Sequence, residues 1–149
     1  MPEQKTLERA RRDKEEGKSP ATQAGEFVRE EMHHIREGKH GARSAKQAIA
    51  IALSKACRAG VKLGTPKKGT ASQRTRRQAA RDTARARRGA ARPSARRSRA
   101  GREALKAEGR AAASPRALAR QAQRSARKRT AAQRSAAARK AARTRARRG

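Results

Sequence analysis

The stretch SPATQAGEFVREEMHHIREGKHGARSAKQAIAIALSKACRAGVKL, residues 19–63, decides the fold. Ser19 and Pro20 offer an N-cap followed by a proline suited to a first helical position. Ala24, Phe27, Val28, Met32 and Ile35 then recur at three- and four-residue steps, which predicts an amphipathic helix over about residues 20–37, stopped by Gly38. Ser44 with Gln47 matches a capping box, so a second helix should start there. Its expected apolar face is Ala48, Ile49, Ala52, Leu53, Ala56 and Cys57, and Gly60 fits a left-handed C-cap with Val61 folding back on the last turn. The connecting loop joins antiparallel neighbours comfortably. Residues 19–63 therefore read as a two-helix hairpin, close to the ~40-residue size below which a single core needs help. Self-association through 19–63, or a partner, is expected to complete it.

Outward from this module the chain thins. Residues 1–18 form a charged arm in which 3–17 can be helical through pairs such as Glu8 with Arg12, ended by Gly17. Only Leu7 and Ala10 could face a neighbour, which predicts a solvated, fraying helix. From Gly64 to Gly149 the chain is low in complexity, built mainly from Ala and Arg, with helix punctuation at Ser72, Gly89, Ser94, Gly109, Ser114–Pro115 and Gly149. Gly89, Gly101, Gly109 and Pro115 should divide it into short segments.

Charge follows the same division. The 149 residues carry 43 Lys and Arg against 12 Asp and Glu, a formal net charge of +31. Residues 1–63 hold 14 of the basic and 9 of the acidic groups, and 64–149 hold 29 and 3. Of the residues counted as hydrophobic most are Ala; 14 are larger, and 12 of these lie before residue 64. The whole chain has a mean hydropathy of −1.18, and with two large apolar residues beyond Leu63 the tail is not expected to bury enough apolar surface to order itself. The expected fold class is thus all-α, a short two-helix hairpin with a largely disordered, conditionally helical basic tail.

The tail's cations repeat every four residues: Arg77, Arg81, Arg85; Arg102, Lys106, Arg110; Arg116, Arg120, Arg124, Lys128; Arg139, Arg143, Arg147. On helices these become rows of like charge, each pair costing a few tenths of a kcal/mol, so helix should grow when a polyanion neutralises them. Such rows suit phosphates, and Arg suits them bidentately. Nucleic acid is the expected partner. The absence of Trp and Tyr excludes base-stacking platforms. Lys39, His40, Arg43 and Ser44 form a candidate phosphate loop beside the second helix's free amides.

Thr65-Pro66-Lys67-Lys68 resembles the S/T-P-K-K element of linker-histone tails, with Ser114-Pro115-Arg116 half a copy; a proline turn in a linker is the alternative. The tail also resembles linker-histone C-termini and bacterial histone-like proteins in composition; DNA is favoured over RNA as the partner, while composition alone does not choose between them. Residues 19–63, through KHG, KQAIAIALSKA and RAG, resemble a family of small basic bacterial proteins carrying a domain of unknown function. That resemblance implies a bacterial origin and a folded module, without an activity.

No catalytic residue, cofactor or metal is expected. His33, His34 and His40 with Glu30, Glu37 and Cys57 could be assembled into a metal site, since Glu30 and His34, and His33 and Glu37, lie one turn apart, but adjacent helical histidines diverge by about 100°, no Cys-x-x-Cys pair is present and exposed helical His/Glu pairs are commonplace. Cys57 reads as a packing residue with no base beside it. The longest apolar run, Ala48–Leu53, is far short of a bilayer span of ~20 residues. The expected role is a non-enzymatic, cytoplasmic, nucleoid-associated binder; the alternative is a ribosome- or stress-associated protein-interaction adaptor built on 19–63.

Overall fold

The computed structural model describes residues 1–69, 71–89 and 94–147, and among these every regular element is helical. The helices are α1 (Gln4–Glu15), α2 (Pro20–Arg36), α3 (Ala45–Arg58), α4 (Gln73–Arg87), α5 (Ala95–Ala107), α6 (Pro115–Arg127) and α7 (Ala131–Ala146), with a single 3₁₀ turn at Ala111–Ala113. An isolated parallel bridge joins Lys68 and Ala71. Gly149, expected as the last helix stop, lies outside the described residues.

Local signals placed most boundaries. Ser19 Oγ accepts from the Thr22 amide, with Pro20 behind it, and the capping signal at Ser44 holds with a shift. Ser44 Oγ accepts from the Gln47 amide, but Gln47 Oε1 accepts from the Arg43 amide at 2.8 Å, one residue before the cap. Gly60, at φ +90°, takes the left-handed turn that ends α3, and Val61 donates back to the Ala56 carbonyl and packs on the core.

The core is two apolar clusters that follow one another along the same face of α2, with Val28 touching both. Ala10 of α1, Ala24 and Phe27 of α2, and Ala52 and Ala56 of α3 make one; Met32, Ile35, Ala42, Ala48, Ala112 and Ala113 make the other, with Ile49 and Leu118 against it. The buried face of α3 differs from the expected one. Ala45, Ala48, Ala52 and Ala56 are buried, Ile49 and Cys57 are half-buried, and Leu53 is 37% exposed. Alanines one turn apart let α3 lie close against α2, and that approach turns the larger side chains to the flanks.

Two expectations are corrected. The first concerns the arm: α1 does not fray in solvent but packs on α2, burying Thr6, Ala10 and Asp13. Polar anchors complement its small apolar face, with Lys18 Nζ 2.7 Å from Asp13 and Glu3 reaching His34.

The second concerns the tail, which is neither disordered nor helical only when bound. α4 packs on α3, while the 3₁₀ turn and α6 pack on α2 and α3, so the hairpin is completed from within its own chain. Ser72, Ser94, Ser114 and Thr130 each accept an N-cap hydrogen bond, and Thr130 closes a full capping box with Gln133. A cap contributes about 1 kcal/mol, comparable to three like-charge pairs at ~0.2–0.5 kcal/mol each, so repulsion along a row does not unwind these helices. Gly101 does not divide α5, which runs through it.

Three hydrogen bonds from the end of α2 and the loop after it tie the 105–113 segment to the module. The Gly41 amide donates to the Leu105 carbonyl (2.8 Å), the Ala42 amide to Gly109 (3.1 Å), and Arg36 Nε to Ala113 (3.0 Å). A Cβ at Gly41 would stand 1.8 Å from the Glu108 carbonyl oxygen, so only glycine permits this approach.

Candidate functional site

The start of α3 and the flank of α6 face each other across an open cleft of about 320 Å³, lined by Arg43, Ser44, Lys46, Arg120, Gln121 and Arg124. α6 reaches this place because Ala112, Ala113 and Leu118 dock beneath it. Its four-residue repeat then sets Arg116, Arg120, Arg124 and Lys128 along one exposed edge. The cationic lining continues past the cleft through Arg127 and Lys128 on one side and Arg74 of α4 on the other.

The candidate phosphate loop divides. Arg43 and Ser44 line the cleft, Arg43 standing 3.5 Å from Glu108 while remaining largely exposed. Lys39 and His40 turn away from it: Lys39 Nζ lies 3.2 Å from Glu3 and 3.1 Å from Glu37, and His40 faces Glu31. The carboxylates beside Lys39 hold its ammonium above the usual range.

The other expected contact residues are not gathered there. Arg77, Arg81 and Arg85 form an exposed row on α4. Arg102 and Lys106 lie on α5, and Arg110, which precedes the 3₁₀ turn, is off that helix, so the expected row of three is broken. Arg139, Arg143 and Arg147 share a face of α7 with Lys140. Lys67 and Lys68 occupy the extended link between α3 and α4, where Arg76 Nε donates to the Pro66 carbonyl at 3.0 Å. Lys46, Arg74 and Arg127, which line the basic surface, escape the sequence reading because they belong to no four-residue row; closeness to Ser44 was the signal for Lys46.

Most of the carboxylates in ion pairs lie on α1, α2 and the residues flanking them. Among the described residues the ion pairs gather on Glu3, Asp13, Glu16, Glu26, Glu30, Glu31, Glu37 and Glu108, and none reaches α6. Glu31 is fully buried, with Lys55 Nζ 2.6 Å from Oε2. Glu3 Oε1 is 2.7 Å from His34 Nε2, and these contacts with His34 and Lys39 draw the Glu3 carboxyl down to about 2. Cys57 stands apart from the histidines, its thiol pushed up by burial and then by Asp82, which leaves it a poor nucleophile. No helix among the described residues is long and apolar enough to cross a membrane.

No protein-family model, curated protein or solved structure matches this chain.

Proposed function

We propose that this protein is a non-enzymatic, nucleoid-associated binder of nucleic acid, DNA before RNA, which grips the phosphate backbone through the α3–α6 cleft and extends along it with α4 and α7. The observation that carries this reading is the convergence of six cations on one exposed surface: Arg43 from the loop before α3, Lys46 of α3, Arg116, Arg120 and Arg124 of α6, and Lys128 just after it. The α6 row covers about 18 Å of helix. Duplex DNA presents roughly ten charges over that length, so the remaining rows have phosphates to engage. Free amides at the start of α3 favour an anion in the same place. With Phe27 buried as the chain's one aromatic residue, no base-stacking surface exists and recognition is nearly blind to sequence.

Titration of duplex DNA at several salt concentrations tests this. Six phosphate contacts predict a loss of at least ~10³ in affinity between about 50 and 200 mM salt. The combined change Lys46→Ala, Arg120→Ala, Arg124→Ala should make the log–log slope shallower by about 2.7, at 0.9 per lost contact. A flat salt response, or an unchanged slope in the variant, would overturn the proposal. Scrambling the duplex sequence should leave affinity unaltered.

A further inference from the structure

The α2 carboxylate Glu31 has a buried oxygen that nothing satisfies. Its side chain is fully enclosed, Lys55 takes Oε2 at 2.6 Å, and Oε1 has no hydrogen-bond partner. His40 Nε2 stands only 3.3 Å from that oxygen, but off the direction that a hydrogen bond requires. On the far side of the ring His40 Nδ1 lies 3.1 Å from the Gly41 carbonyl. A carbonyl can only accept, so the ring proton belongs on Nδ1 and the Nε2 lone pair faces the carboxylate. Two electron-rich atoms face each other in a buried place. One turn along α2, His34 brings a ring nitrogen into the same space, and ligand atoms of Glu31, His34 and His40 all lie within 4.8 Å of one another.

We propose that Glu31, His34 and His40 form a binding site for a divalent transition metal, with zinc the best fit. Two imidazoles and one carboxylate are a three-ligand zinc set that leaves a fourth position for water. The imidazoles select against magnesium and calcium, which take oxygen ligands. The surroundings have the features of an outer shell. The Gly41 carbonyl fixes the tautomer of His40, the Glu3 carboxylate lies against the His34 ring, and Lys55 orients Glu31 while leaving Oε1 open. The metal would occupy the gap at Glu31 Oε1, where a buried, unsatisfied oxygen otherwise costs free energy. It would also join α2 to the loop that carries Gly41, and so brace the attachment of the tail. Its assignment rests on this geometry and not on the nucleic-acid reading.

Titrating the full chain with Zn²⁺ by calorimetry, and with Co²⁺ by visible absorption, tests the assignment. One equivalent should bind, with a cobalt spectrum of a four-coordinate nitrogen and oxygen set that lacks thiolate charge transfer. Zn²⁺ should also raise the melting temperature. His40→Ala and His34→Ala should each weaken binding at least ~10-fold, the scale expected when a ligand's support is lost. His33→Ala, whose exposed ring pairs with Glu37, and Cys57→Ser should bind as the natural chain does. In the unaltered protein, zinc should shift the imidazole NMR signals of His34 and His40 and leave His33 in place, a readout that needs no variant to fold. Absence of saturable binding, binding unaffected by His40→Ala, or a thiolate band in the cobalt spectrum would each overturn the site.

Discussion

α6 and α7 are built from the same residue types, both capped by a hydroxyl and both dominated by Ala and Arg, yet one is docked and the other is bare. α6 half-buries Ala117, Leu118, Gln121 and Ser125 along one side, whereas every described residue of α7 is exposed. The difference lies in few atoms. Leu118 and the preceding Ala112 and Ala113 enter the core beside Met32 and Ile35, and three hydrogen bonds from Arg36, Gly41 and Ala42 hold the 105–113 segment in place. Low complexity thus describes the composition of the tail and not its organisation. A segment joins the core when a few small or apolar groups coincide with backbone partners, and the rest of the chain keeps its charge for solvent or polyanion.

The largest effect should come from closing the gap at Gly41. In Gly41→Val the new Cβ meets the Glu108 carbonyl, a backbone atom that cannot swing aside, and both tail-anchoring amide bonds beside it must lengthen. The cost is expected at about 3 kcal/mol, the upper end for overpacking. Hydrogen exchange should report fast exchange at Gly41, Ala42 and through α6, with α7 unchanged. Equal loss of protection in both helices would show that α6 and α7 do not differ as described.

Leu118→Ala sharpens the comparison at lower cost. The side chain is only half-buried, so about 1–2 kcal/mol is expected, below the 2–5 kcal/mol of a fully enclosed leucine. α6 should loosen while keeping its capped helix. The cationic row would then no longer meet Arg43 and Lys46, and DNA affinity should fall although no charge was removed. Leu53→Ala, on the flank of α3 at 37% exposure and outside both core clusters, should cost less, about 1 kcal/mol or below. Thermal unfolding of the two variants side by side checks the order.

That contrast between Leu53 and Leu118 also marks what the sequence could convey. The limits of α2 and α3 were readable because Ser19, Pro20, Gly38, Ser44 and Gly60 act within one turn of themselves. The burial of Ala48, Ala52 and Ala56 in preference to Leu53 depends on how near α2 comes, which local spacing does not encode. Ala112 and Ala113 carried no signal against a background of alanines. The docking of α1 was equally hidden, since it relies on Glu3 meeting His34 from 31 residues away. For the carboxylate cluster, four-residue spacing correctly pairs His33 with Glu37, at 2.9 Å on the surface, but His40 comes to Glu31 from a loop. Spacing along one helix cannot find a group supplied by another segment.

The smallest effect separates the anchoring of α1 from that of α6 by pH. Glu3 ionises near 2 in the folded chain, below its ordinary 4.5, because it accepts from His34 and then from Lys39. A carboxyl lowered on folding binds protons more readily when unfolded, so its contribution is complete above pH 4.5 and is lost as the pH falls towards 2. The contacts of Glu3 are exposed to solvent and salt, which keeps the effect modest. It acts on one helix only. Between pH 5 and 2 the amides of Thr6 and Leu7 should lose protection, while Gly41 and Ala42, held to the tail by backbone bonds with no titrating partner, should keep theirs. Glu3→Gln should flatten the α1 response and leave the other unchanged. Should Gly41 and Ala42 open together with α1 over this range, the two attachments would be one cooperative unit, and the distinction between an ionic anchor at one end of the core and a backbone anchor at the other would fail.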